Sequence, residues 1–275
     1  MSNIGYLGYK DTTGAVHGFI DNSGAPQICV QQYLQAIAEG DITGHTLISK
    51  TGYGPAATAA ETTLWNPGTA YVFPTANISV EVISTSANDD GSPAGTGANT
   101  VVLNYLSSDY NVHTTTLTMN GTTAVAGPTD FFRTNEFYVT SAGSLKRAAG
   151  VISLRLVGGA ATVYDQIAAG YNASRNSVYT VPLGKIVYIH DIMFSCAYST
   201  AGKSERMILQ TTCDPLGVVR TDGLFFPHYE AMLMDNSVQK VDGAPIKCPE
   251  KTDIKVSIIG ETNAQSTCSY SGWIE

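Results

Sequence analysis

The sequence predicts an all-β chain: two tandem antiparallel β-sandwiches, jelly-roll-like, behind an N-terminal arm and one short helix. Three observations lead there. From Ala70 onward, short runs rich in Val, Ile, Tyr and Phe recur at the close, regular spacing of sandwich strands. The stretches Tyr71-Val-Phe-Pro-Thr-Ala-Asn-Ile78 and Tyr179-Thr-Val-Pro-Leu-Gly-Lys-Ile186 carry Tyr, Pro and Ile at matching positions, a shift of 108 residues. That match fits a tandem pair, although turn-then-strand grammar recurs in every all-β chain. Helical spacing, finally, is convincing only once. A chain of 275 residues is long enough for two such sandwiches, each with its own core. The expected division is an arm and helix over 1–45, a first sandwich over 46–160 and a second over 175–275.

Residues 1–26 are rich in glycine, with turn signals at Asp11 to Gly14 and Asp21 to Gly24, and predict an arm with at most one hairpin. Tyr6, Tyr9 and Phe19 punctuate it. Aromatics spaced along such an arm either anchor it in a partner or cover the edge of its own sheet. Gln27 to Glu39 predicts the helix: Ile28, Tyr33, Leu34 and Ile37 fall near helical spacing, Pro26 precedes them and Gly40 is a ready stop. Pro55 to Thr63 is a small-residue connector into Trp65.

In the first sandwich, Ile78, Val80 and Val82 share a face, as do Val101, Leu103 and Tyr105. Asn120-Gly121 after Leu117 and Met119 predicts a type I′ hairpin. Phe137 with Val139, and Ile152 with Leu154 and Leu156, complete the set, and Gly158 to Ala173 reads as the linker. In the second, Pro182 and Gly184 predict a tight turn feeding a strand from Ile186 to Phe194. Met207 to Thr211, Gly217 to Arg220, Leu224 to Phe226, Ile254 to Ile258 and Cys268 to Ile274 follow.

Charged residues make up only 14% of the chain, against about 25% in ordinary soluble proteins. Thr, Ser, Asn and Gly supply the polarity, giving a solvated but weakly repelling surface suited to close packing beside other molecules. A net charge of -8 with no Lys/Arg cluster argues against a nucleic-acid partner. The opening Met-Ser-Asn-Ile-Gly-Tyr lacks a signal-peptide pattern and no window approaches eighteen apolar residues, so the expectation is no membrane and assembly in a cytoplasm. Cys29, Cys196, Cys213, Cys248 and Cys268 are irregularly spaced and odd in number, which predicts free, buried thiols rather than disulfides or zinc.

Candidate chemistry is sparse. Asp89-Asp90 offers oxygens to a cation but lacks the alternating carboxylates and terminal glutamate of a calcium loop, and reads as a solvated loop. Ala201-Gly-Lys-Ser204 mimics the tail of a phosphate loop, with Ala197 where its first glycine belongs. His17, His45, His113, His190 and His228 are scattered, and His190 reads as structural within its strand. Asp109 and Asp191 form no recognisable acid pair by sequence, Asp109 reading as a turn residue. Tyr171, Tyr179, Tyr188, Tyr198 and Trp273 alternate as core residues do, with sugar stacking the competing reading. The expectation is no catalytic residues, no cofactor and no metal.

The runs Ala36-Ile-Ala-Glu-Gly-Asp-Ile-Thr-Gly-His45, Ser84-Thr-Ser-Ala-Asn-Asp-Asp90, Gly95-Thr-Gly-Ala98, Leu117-Thr-Met-Asn-Gly-Thr-Thr-Ala-Val125 and Val139-Thr-Ser-Ala-Gly143 resemble virion proteins of tailed bacteriophages, especially those of aquatic bacteria. Tyr179 to Lys185, Phe225 to Glu230, Pro249 to Ile254 and Cys268 to Ile274 are similar to the same group. The resemblance spans roughly residues 35 to 275 and consists of turn and strand grammar. It implies a non-enzymatic capsid decoration or cement protein, with a head-fibre or tail-associated, glycan-binding attachment protein as the alternative. It also implies a major capsid protein or other virion proteins as partners, location in the virion and a homotrimer at a three-fold position. Tyr6, Tyr9 and Phe19 of the arm are the expected partner contacts.

Overall fold

A computed structural model describes residues 9–10, 16–17, 19–20, 26–27, 30–54, 59–199, 201–260 and 264–275. Among the described residues, β1 (Tyr9–Lys10) pairs with β2 (Val16–His17) and β3 (Phe19–Ile20) with β4 (Pro26–Gln27). The arm therefore holds two short ladders where its turn signals predict one hairpin at most. Tyr6 lies outside the described residues. Tyr9 and Phe19 are strand residues by their backbone.

Helix α1 (Val30–Glu39) starts three residues later than the spacing predicts, because Pro26 and Gln27 are taken by β4. Its end is a Schellman cap. Gly40 sits at φ +82°, its N–H donates to Ile37 O at 3.1 Å, and the Asp41 N–H donates to Ala36 O at 2.9 Å. Ala36 and Ile37 form the buried face.

The strands that follow are β5 (Thr46–Gly54), β6 (Thr62–Thr63), β7 (Val80–Ser84), β8 (Ala98–Leu106), β9 (Val112–Thr118), β10 (Val125–Ala126), β11 (Arg133–Ala142), β12 (Ile152–Leu156) and β13 (Gly159–Ile167). After them come β14 (Tyr179–Thr180), β15 (Val187–Tyr198), β16 (Ser204–Thr211), β17 (Phe226–Met234), β18 (Ser237–Cys248), β19 (Asp253–Gly260) and β20 (Ala264–Ile274). They build four larger antiparallel sheets, ordered β10-β7-β12-β13, β11-β8-β9, β14-β19-β16-β17 with β6 on β19, and β18-β15-β20-β5. The four are arranged like propeller blades rather than as two sandwiches, and along the chain the strands of the first two sheets interleave, as do those of the other two. One core is shared by the first two sheets, through Val82, Leu103, Leu117, Phe137, Leu154 and Ile167. A second, through Ile48, Ile189, Phe194, Leu209, Leu233 and Val256, is shared by the other two.

Four expectations change. β5 and β6 pair with β20 and β19, so both strands belong with the second pair of sheets, not the first. The expected linker contains β13: Gly158, at φ +69°, turns β12 directly into it, and the Gly-Gly-Ala-Ala run that reads as a linker is the turn and the start of an edge strand. Asn120-Gly121 is a turn but not a hairpin, since β9 pairs with β8 while β10 crosses to β7. Gly121 has positive φ and Asn120 does not, so the turn is not type I′. Residues 217–224 form loop rather than two strands, and β17 and β18 occupy a stretch that the sequence leaves mostly unassigned.

Candidate functional site

Three places concentrate polar or exposed groups: a buried joint between the two pairs of sheets, an aromatic cluster beneath α1, and the outer edge formed by β17, β18 and the loop before them.

The joint is built from the start of β11. Asn135 is the extra residue of a bulge against β8, which breaks the strand's alternation. Consecutive Arg133, Thr134 and Asn135 are all buried there. The Arg133 guanidinium grips Asp253 of β19 with two bonds, Nε to Oδ1 at 2.9 Å and Nη2 to Oδ2 at 3.0 Å, and donates from Nη1 to Pro74 O at 2.6 Å. The ring of Phe132 lies 3.8 Å beneath it. Thr180 Oγ1 donates to Asp253 Oδ1 at 2.6 Å, and Asn135 exchanges two 2.9 Å bonds with the Thr180 backbone. Lys50 Nζ reaches Asn135 O at 2.6 Å, while Thr134 Oγ1 donates to Asp165 Oδ2 at 3.0 Å. Burial lowers the Lys50 pKa and raises that of Asp165, and each one's charge opposes the other's shift. The joint thus satisfies its ions by bidentate and multiple hydrogen bonds, the condition under which buried charge is tolerated.

Beneath α1, Tyr33 meets Trp273 edge-on at 5.2 Å, and Trp273 stacks on Tyr188 at 5.0 Å. Glu275 ties the cluster, accepting from Tyr188 Oη at 3.1 Å and lying 2.9 Å from His45 Nε2. Tyr179 and Tyr198 are core residues, and of the five aromatics with sugar stacking as a competing reading only Tyr171 is largely exposed. Its ring covers Arg175, whose other face rests on Tyr53, both rings at 3.9 Å.

At the outer edge, β17 and β18 are each paired on one side only among the described residues, and they expose Met232, Met234 and Val238. The preceding loop adds Leu216, Val218 and Leu224. A cavity of about 490 Å³ opens between the loop and the strands, lined by Cys213, Phe226, His228, Tyr229, Pro245 and Ile246 among others. His228 Nε2 bonds Thr211 Oγ1 at 2.8 Å, and burial lowers its pKa. Burial raises that of Cys213, which favours the thiol over the nucleophilic thiolate.

The candidates that the sequence singles out disperse in the fold, and one is corrected in kind. Asp89 is not in a solvated loop: it is fully buried and its carboxylate accepts from Ser84 Oγ, Ala98 N, Ala149 N and Gly150 N at 2.6–2.9 Å. Its oxygens hold three chain segments together, and a Cβ on Gly97 would collide with one of them. The amides of Gly202 and Lys203, in the phosphate-loop mimic, donate to Asp235 Oδ1 at 2.5 and 3.3 Å. Asp109 closes a turn with Ser107 and Asn111, whereas Asp191 lies in β15 beside His190 and Lys240. His190 is the extra residue of a bulge in that strand. Cys196, Cys213, Cys248 and Cys268 are free and buried, and Cys29 lies outside the described residues. Among the described residues no three metal-ligating side chains converge, and no helix is long and apolar enough to cross a membrane.

No protein-family model matches the chain, and neither does any curated protein. Among solved structures it is similar to one of infectious bursal disease virus, Gt strain, at 11% identity and a TM-score of 0.22, over 88% of this chain and 76% of that one. A second, of the Gx strain, gives 14% identity and 0.21, over 84% and 70%. Superpositions at that level carry no argument for fold or function.

Proposed function

We propose that the protein is a non-enzymatic virion structural component, a capsid decoration or cement protein that bridges and stabilises capsid subunits and acts as a homotrimer. Each pair of sheets has its own core, and the polar contact around Arg133 joins the pairs. The observation that carries the functional reading is the outer edge: Met232, Met234 and Val238 are exposed on two strands that are each paired on one side only among the described residues, and Leu216 and Val218 are exposed on the loop before them. A surface of that kind fits assembly against protein. The low charge fraction fits neighbours packed close together. Major capsid protein or other virion proteins are the partners proposed, with no nucleic acid and no membrane.

Quantitative gel analysis of purified particles tests this reading. Hundreds of copies per particle are expected for a shell decoration. A dozen or fewer would move the protein to a head fibre or the tail, and hydrolysis of host polysaccharide by the isolated protein would overturn the structural role. Deleting residues 1–26 should leave a folded product that no longer binds particles, since the arm with Tyr6, Tyr9 and Phe19 is the proposed attachment.

A further inference from the structure

Leu216 is 89% exposed, the most exposed large apolar side chain among the described residues. Its neighbours in sequence, Pro215 and Gly217, line the 490 Å³ cavity, so Leu216 stands on the cavity's lip while pointing into solvent. We propose that this lip and cavity form a contact between copies of the chain, with Leu216 of one copy entering the cavity of a second.

The turn that presents Leu216 is internally hydrogen-bonded. Asp214 Oδ1 accepts from the Leu216 and Val218 N–H groups, both at 2.9 Å. The Asp214 N–H donates to Val218 O and the Gly217 N–H to Asp214 O, again at 2.9 Å. Gly217 takes φ +83°, which closes the turn without strain. The side chain is therefore held outward on an ordered support, so burying it costs little further ordering. The cavity lining mixes apolar Phe226, Pro227, Pro245 and Ile246 with polar His228, Tyr229 and Lys247, so it offers a leucine partial apolar cover.

A protrusion beside a hollow lets copies meet head to tail, each Leu216 entering the next copy's cavity, and three such contacts can close a ring. Charge agrees. The cavity wall carries one acid, Asp214, and one base, Lys247, so successive copies can set Lys247 of one against Asp214 of the next. This local balance avoids the repulsion that a net charge of -8 would otherwise impose on self-association. A small apolar ligand would fill the hollow but leave Leu216 and Val218 in water, whereas a second copy covers both.

The contact rests on the proposed homotrimer and deepens it by naming its surface, and it fails separately from the virion role, which particle copy number tests. Sedimentation velocity of the full chain should show association that strengthens with concentration. Leu216→Asp should weaken it at least about tenfold, the loss expected for removing one buried leucine and placing a charge there. Its melting temperature should not change, and Leu216→Met should restore association. As an independent check, mixing Leu216→Cys with Pro245→Cys protein under mild oxidation should give a mixed disulfide-linked pair in higher yield than either variant alone. Monomer at every concentration, or Leu216→Asp associating as strongly as the parent, would overturn the contact.

Discussion

The joint around Arg133 and the edge around β17 and β18 invert the usual distribution of residue types. In the joint, Arg133, Asp253 and Asp165 are buried, and they and the half-buried Lys50 are hydrogen-bonded within the protein. At the edge, Met232, Met234 and Val238 face water with little to cover them. Buried ions contribute modest net stability but fix one geometry, because any shift leaves a charge unpaired. Exposed apolar side chains contribute nothing until something covers them. The difference teaches that one region holds the two pairs of sheets together through paired polar groups, while the other leaves apolar surface that the proposed assembly would cover.

The largest effect should come from breaking the joint. Arg133→Ala leaves Asp253 buried with only Thr180 on that oxygen, and should cost about 3–5 kcal/mol in urea unfolding. Arg133→Met with Asp253→Asn, which removes both charges, should cost clearly less than the single change. Next comes Asp89, a buried carboxylate away from the joint. Asp89→Ala orphans three backbone N–H groups and a hydroxyl, a loss of about 2–4 kcal/mol that added calcium should not reverse.

Both effects concern groups whose importance is poorly legible in the sequence. The all-β class, the helix with its Gly40 stop, the turn at Pro182 and Gly184 and most apolar strands are readable, because alternation and punctuation are local signals. The pairing of β5 with β20 is not, since nothing local in Thr46–Gly54 says that its partner lies some two hundred residues away. β17 and β18 escape because Pro227 and Pro245 read as breakers, and in β17 the buried positions Ala231 and Leu233 alternate with exposed ones only over its last few residues. Asp89 looks like a loop residue because composition reports neither burial nor which amides converge on a carboxylate. The outer edge is hidden for the same reason.

A smaller, pH-dependent effect should come from Glu205 on β16. Burial raises its pKa above the ordinary glutamate value, and its Oε1 has no hydrogen-bond partner. An acid whose folded pKa exceeds its unfolded one penalises the fold at neutral pH, and the penalty fades as pH falls through the folded pKa. Glu205→Gln should therefore raise the melting temperature at pH 7 relative to the parent, with the gap closing on acidification. The smallest effect on stability should come from the edge. Val238→Lys should change unfolding free energy by less than about 0.5 kcal/mol, since the side chain contacts mainly water, while weakening assembly.

Hydrogen–deuterium exchange of the full chain, compared between dilute protein and its assembled form, tests the division of labour most directly. The account predicts slow exchange in both states for amides around Arg133, Asn135, Thr180 and Asp253, with new protection on assembly over residues 214–218 and the open sides of β17 and β18. Protection that instead appears at the joint, with the edge exchanging as before, would contradict it.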